Sequence, residues 1–180
     1  METKYCKESR VIRTSRIFPN DVKNHNTLFG GRLMSHLDQV SSTSAARHSR
    51  RECVTASTDS VDFLHPIQTT DAVSFESYVT WTGTSSMEVF VKIIAEDLIS
   101  GKRKIAATAL LTFVALDQHN RPTRVPQVIP ETEEERKLHE TAPDRARIRK
   151  ERKQNSKELA AFLTTNYPWE HIVHAKLLNG

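Results

Sequence analysis

Residues 18–38 gather the side chains and spacings that suit hydrolytic chemistry. A polar, turn-rich loop over 19–27 runs into the adjacent pair Gly30 and Gly31, and a largely apolar helical pattern begins directly after them. Two residues without side chains at the mouth of a helix let backbone N–H groups face a ligand closely, where the helix dipole favours negative charge. Asp38 follows seven to eight residues later, two turns down, near the face that carries the glycines. An acid below a set of backbone donors fits a hydrolytic site. The same spacing fits a Gly-Gly turn entering a core helix, with Asp38 as a satisfied polar residue. Spacing alone leaves both readings open.

The elements that must hold these residues follow from periodicity. Leu33, Leu37, Val40 and Ser44 form one stripe with Met34, Ser41 and Ala45 beside it, which predicts a helix over 31–48. Arg47, His48, Arg50 and Arg51 close it with cations that suit a helix C-terminus; a phosphate grip is the other reading of these arginines. Alternation predicts strands over 10–18, 54–64, 72–82, 87–97 and 103–116, the last three joined by short glycine-containing turns into an antiparallel meander. In the strand over 54–64 the alternation places Thr55, Ser57 and Asp59 on one face, toward water or a polar ligand. One hydrophobic helix ahead of such a sheet must be covered by it, giving an α+β domain with the sheet curled around the helix.

The chain has 180 residues and a net charge of +4, from 26 basic and 22 acidic side chains. Residues 144–153 hold six basic and two acidic residues, which equals the whole excess. Residues 117–130 read as an extended exit segment with three prolines. One helix is expected from about 131, a second from Pro143, a weak amphipathic one over 156–165 and a last apolar patch over 169–178. The division expected is a domain over 1–130 and a helical extension over 131–180 that packs on the domain or on a partner subunit. Cys6 and Cys53 lack the spacing of a zinc site or a disulfide framework and read as free thiols in a reducing, cytoplasmic setting. No run is long and apolar enough to span a bilayer.

Three ordered stretches resemble the bacterial hot-dog-fold acyl-CoA thioesterases: residues 21–38 centred on Thr27-Leu28-Phe29-Gly30-Gly31, residues 54–63, and residues 85–92. The resemblance covers roughly residues 5–155. It implies a long central helix wrapped by an antiparallel sheet, a dimer with two sites between subunits, and trimers of such dimers. It also implies hydrolysis of fatty acyl-CoA to free acid and CoA, without a serine or cysteine nucleophile and with no cofactor beyond the coenzyme of substrate and product. On that resemblance, backbone N–H groups near Gly30 and Gly31 would hold the developing oxyanion. Asp38 would activate water or attack directly, and Thr55, from the strand of the facing subunit, would help to hold the water. Thr84, Ser85 and Ser86 in a strand turn could hydrogen-bond the coenzyme, with Arg145, Arg149 and the basic run reaching its phosphates.

One departure stands out. The family's catalytic asparagine position is occupied, without a gap, by Lys23, and Asn24 sits one residue late. Lysine has no carbonyl acceptor and brings a flexible cation. Either the loop shifts so that Asn24 serves, or Lys23 lowers or tunes activity, or the site binds acyl-CoA without fast turnover. Impaired catalysis on a thioesterase scaffold is the favoured expectation, and a ligand-sensing protein is the alternative. The histidines do not form a hot-dog hydratase motif. The basic run lacks interleaved aromatics and no helix-turn-helix precedes the domain, so nucleic acid is not the expected partner.

Overall fold

The structure, a computed structural model, describes residues 2–22, 28 and 30–167. Lys23, Asn24 and the apolar patch over 169–178 lie outside the described residues. The chain forms two compact units, residues 1–143 and 144–180.

In the first unit the short strand β1 (Thr3–Tyr5) and helix α1 (Cys6–Ser9) precede β2 (Val11–Arg16). The long helix α2 (Gly30–Ser49) follows, then β3 (Glu52–Phe63), β4 (Asp71–Thr82), β5 (Ser86–Asp97), β6 (Arg103–Leu116) and the short β7 (Gln127–Ile129). Five strands make one antiparallel sheet in the order β2-β4-β5-β6-β3, and β1 pairs with β7 in parallel beside it. Leu33, Leu37, Val40 and Ala45 of α2 are buried against Phe75, Val79, Met87, Val89, Val91, Leu111 and Phe113 of the sheet. Each fully buried aliphatic side chain of this kind contributes about 1.5–3 kcal/mol. Ser44 and Ser77 hydrogen-bond at 2.7 Å and Ser77 Oγ donates to the Val40 carbonyl, so these two hydroxyls are satisfied, while buried Ser41 Oγ has no partner among the described residues. This is the hot-dog arrangement, a sheet wrapped around a central helix, that the resemblance implied.

Two expectations change. Thr55, Ser57 and Asp59 do not share a face, because the register of the β3–β6 ladder shifts between Thr55 and Ser57 and again between Thr58 and Ser60. Each bulge reverses the alternation. Thr55, opposite Phe113, turns toward α2, while Ser57, opposite Thr112, lies on the other face. Ser57 Oγ donates to Asp59 Oδ1 at 2.6 Å and Thr112 Oγ1 to Asp59 Oδ2 at 2.7 Å, so that carboxylate is held on the outer side.

The separate helices expected from 131, 143 and 156 are one helix, α3 (Glu133–Phe162), which runs through Pro143. Proline removes one backbone bond, at a cost of about 3 kcal/mol in a helix interior. The helix-forming Arg, Lys, Glu, Ala and Leu around it sustain the helix beyond, with Arg147–Glu151 at 3.0 Å and Gln154–Glu158 at 2.8 Å as i,i+4 pairs in the second unit. In the first unit, Thr132 and Glu135 cap α3 reciprocally: Glu135 N donates to Thr132 Oγ1 and Thr132 N to Glu135 Oε2. Burial opposes ionisation of Glu135, but bonds from the Thr132 and Glu131 amides and the Arg10 guanidinium outweigh it and hold its carboxyl below the usual range. Tyr78 and Lys92 bind Glu134, and His139 Nδ1 donates to the Thr80 carbonyl at 2.8 Å. This docking covers part of the sheet's outer face, where Tyr78 is fully buried and Glu88 is 1% exposed.

Candidate active site

Helix α2 starts at Gly30, one residue earlier than periodicity predicts. Just ahead of it Val22 and Leu28 form an isolated antiparallel bridge, and Leu28 N donates to the Ile67 carbonyl at 3.0 Å. Arg32 pairs with Asp21 at 3.5 Å beside it. A Cβ added at Gly30 would lie 3.9 Å from Phe63 Cζ, an ordinary contact, so packing there does not demand glycine.

Asp38 and Thr55 are brought together. Thr55 Oγ1 donates to Asp38 Oδ1 at 3.0 Å, and both residues are exposed. Both belong to the same chain, whereas the resemblance implied a Thr55 of the facing subunit that helps to hold the water. The bulge at Ala56 explains it, since it turns Thr55 toward α2. Asp38 does not lie at the helix mouth. Eight residues at 1.5 Å per residue separate it from Gly30 by about 12 Å, farther than an aspartate side chain reaches. Within one protomer the acid–hydroxyl pair and the backbone donors are separate half-sites.

At the helix mouth Leu28, Leu33, Phe63, Leu64, His65, Pro66, Ile67 and Ala106 enclose a mostly apolar cavity of about 250 Å³. His65 Nδ1 donates to the Ile105 carbonyl, which leaves its Nε2 as an acceptor. The sequence reading missed this cavity because its walls come from three distant segments. At the other end of α2 Thr84 lines a polar cavity of about 550 Å³ together with Glu2, Ser49, Arg51, Thr82, Gly83, Arg124, Val125, Pro126 and Gln127. Ser85 and Ser86 lie in the same strand turn, where the Ser85 carbonyl accepts from Ala115 N and Gly83 N donates to the Ser86 carbonyl. A Cβ at Gly83 would sit 2.8 Å from Ser86 Oγ, so a side chain there would require that hydroxyl to rotate away. Arg145 and Arg149 lie one turn apart on the 144–162 stretch of α3, in the second unit, and neither is free of partners.

Cys6 and Cys53 are both free thiols; burial, with Glu135 nearby, pushes Cys6 up to about 12, so it is no nucleophile. Among the described residues no three His, Cys, Asp or Glu side chains are placed to hold a metal, and no helix is long and apolar enough to cross a membrane.

Residues 25–101 match the thioesterase superfamily model. The chain is 63% identical to the uncharacterized acyl-CoA thioester hydrolase YkhA of Bacillus subtilis, over 93% of this chain and 98% of that protein. It is similar in structure to an acyl-CoA hydrolase from Staphylococcus aureus solved with butyryl coenzyme A, coenzyme A and coenzyme A disulfide. That match has a TM-score of 0.86 and 42% identity, and covers 89% of this chain and 98% of that one. Variants of the Staphylococcus hydrolase have an asparagine, an aspartate or a threonine changed to alanine, at positions spaced by 15 and 17 residues. An apo-hexameric acyl-CoA thioesterase is also similar, with a TM-score of 0.82 and 40% identity over 84% of this chain and 97% of that one. With nearly the full length of both chains matched at such identity, the chain belongs to the acyl-CoA thioester hydrolases of the thioesterase superfamily.

Proposed function

We propose that the protein hydrolyses fatty acyl-CoA to the free acid and CoA at a site shared by two copies. Asp38 and Thr55 of one protomer face the Gly30–Gly31 helix mouth of its partner. The 3.0 Å Thr55–Asp38 bond carries this reading, because it presents a carboxylate with one oxygen already oriented, on an exposed helix face. The spacing agrees: Lys23, Asp38 and Thr55 are separated by 15 and 17 residues, the same intervals as the asparagine, aspartate and threonine altered in the Staphylococcus hydrolase.

A two-fold axis that sets residue 38 of one helix against residue 30 of the other passes by residue 34. Met34 is 37% exposed there, as a residue awaiting a partner would be. The outer edge of β3, a strand of 12 residues, has no neighbour among the described residues. A long uncovered edge is a template for pairing, here with the same strand of a second copy. Trimers of such dimers would give a hexamer like that of the similar thioesterase.

In this arrangement the helix-mouth N–H groups stabilise charge on the thioester oxygen. As general base, Asp38 takes a proton from water as the oxygen attacks the carbonyl carbon, and collapse expels the CoA sulfur, which recovers that proton. As nucleophile it would form an anhydride that water then opens; both routes use the same contacts. The apolar cavity by Gly30 suits the acyl chain.

Lys23 stands where a catalytic amide is expected and lowers turnover. Thiol release from a panel of acyl-CoAs tests both claims: Asp38→Ala abolishes activity and Lys23→Asn raises the turnover number. Full activity in Asp38→Ala would overturn the site, and an unchanged rate in Lys23→Asn would overturn the role given to Lys23. Lys23 also favours a second reading, an acyl-CoA sensor, which becomes the conclusion if all three proteins bind acyl-CoA without hydrolysis.

A further inference from the structure

We propose that the 144–162 stretch of α3 packs in parallel against the same stretch of a second copy of the chain. Ile148, Leu159, Phe162 and Leu163 are large apolar side chains left 54%, 58%, 87% and 62% exposed. At 3.6 residues per turn the four fall within an arc of about 100°. Helical bonding reaches the last of them, since Leu163 N donates to the Leu159 carbonyl at 3.1 Å. Positions 148, 152, 155, 159 and 162 advance by alternate steps of four and three, the heptad spacing of a seam between helices. Arg152 and Asn155 are the polar members of that seam.

The charges beside the seam select the occupant. Asp144, Glu151 and Glu158 are all the acids of this stretch, and they recur every seven residues along one flank of the seam. Arg147 and Gln154 bind Glu151 and Glu158 within the helix, which holds both carboxylates on that flank. Arg149, Ser156 and Leu163 form the other flank, while Lys150, Lys153 and Lys157 lie on the face turned away. A membrane of anionic lipid or a nucleic acid would meet the apolar stripe with an acidic edge against its own charge and the lysines pointing away. A second copy of the helix avoids both conflicts.

Charge also sets the direction. In an antiparallel pair like flanks adjoin, and the three acids would oppose three acids. In a parallel pair unlike flanks adjoin, so Asp144 of one copy faces Arg149 of the other. The seam arginines Arg145 and Arg152 then lie beside Asp144 and Glu151 of the opposite helix. Asn155 meets itself across the seam, where an amide supplies both a donor and an acceptor, so the pair is mutually satisfied and fixes the register. Two heptads associate weakly alone, and attachment to a domain that also meets a second copy raises the effective concentration of the partner helix. The pairing is independent of the chemistry at Asp38.

The test is disulfide cross-linking of the full chain carrying Ile148→Cys, Phe162→Cys or, on the opposite face, Lys150→Cys. All three positions are exposed, so the fold is kept, and the unaltered chain with its free Cys6 and Cys53 sets the background. Under mild oxidation, Ile148→Cys and Phe162→Cys each link to a second copy of themselves at least tenfold faster than Lys150→Cys. Equal rates at all three positions would mean random collision and overturn the proposal. Links that form only when Ile148→Cys and Phe162→Cys are co-expressed would mean antiparallel packing and overturn it as well. Loss of the links on adding phosphatidylglycerol vesicles or duplex DNA would give the face to that polyanion instead.

Discussion

The two ends of α2 differ in kind. At the N-terminal end the helix meets Leu28, Phe63, Leu64, Ile67 and Ala106 around a small apolar space; at the C-terminal end it meets Arg51, Arg124 and Thr84 around a larger polar one. Between them Asp38 projects from an exposed face with Thr55 bound to it. A thioester of CoA has the same polarity: an apolar acyl chain, a reactive centre and a polyanionic nucleotide. One rigid helix of 20 residues, about 30 Å long, is thus long enough to sort the two halves of such a substrate to opposite ends. In the proposed dimer the acid of one helix, about 12 Å from its own N-terminus, would meet the N-terminus of another.

The largest effect expected is at the centre. Asp38→Asn removes the charge while keeping the shape, and kcat falls by about 10²–10⁴ with an unchanged melting temperature. A retained rate would make both ends of the helix irrelevant to hydrolysis. Thr55→Val removes the hydrogen bond that orients the acid, worth about 1.5–3 kcal/mol when made to a charged group, so kcat drops at least tenfold. If only stability changed, Thr55 would be a structural strand residue.

At the apolar end, Phe63→Ala enlarges the cavity without touching the core, since Phe63 is mostly exposed. The ratio of kcat/KM for long over short acyl chains rises several-fold, whereas an unchanged chain-length profile would place the acyl chain elsewhere. Gly30→Ala separates packing from function. Among the described residues the added methyl meets only Phe63 Cζ, so the fold is retained with stability equal or up to about 1 kcal/mol higher, while activity falls because the donors are shielded.

The polar end is tested by pH. Burial holds His48 below its ordinary value, its Nε2 bond to Pro126 only partly opposing this, and its Nδ1 has no partner. The folded state resists a proton that the unfolded chain accepts below about pH 6.5. His48 therefore contributes no pH dependence above that value. As pH falls below it, stability declines by up to about 1.4 kcal/mol per unit until His48 protonates in the folded state. Denaturant unfolding between about pH 7 and 5 shows this slope, and His48→Gln removes that share of it. An equal slope in both proteins would mean that His48 is not held neutral.

Periodicity in the sequence determined the central helix, five strands within a residue or two at most ends, and the antiparallel order of the last three of those strands, because alternation and a 3.6-residue stripe record which face each residue buries. Gly30, Gly31 and Asp38 were legible as site candidates because their types are chemically particular. The short β1, α1 and β7 were not legible, since their stability comes from pairing between distant segments rather than from local pattern. The bulge at Ala56 was hidden for the same reason: an extra residue in a strand leaves no mark in composition, yet it decides that Thr55 faces Asp38 and Ser57 does not. Both cavities belong to the tertiary structure alone. Phe63 and Ala106, or Arg51 and Arg124, are ordinary residues far apart in the chain, and only the folding of β3 and β6 against the ends of α2 gives each pair a shared surface.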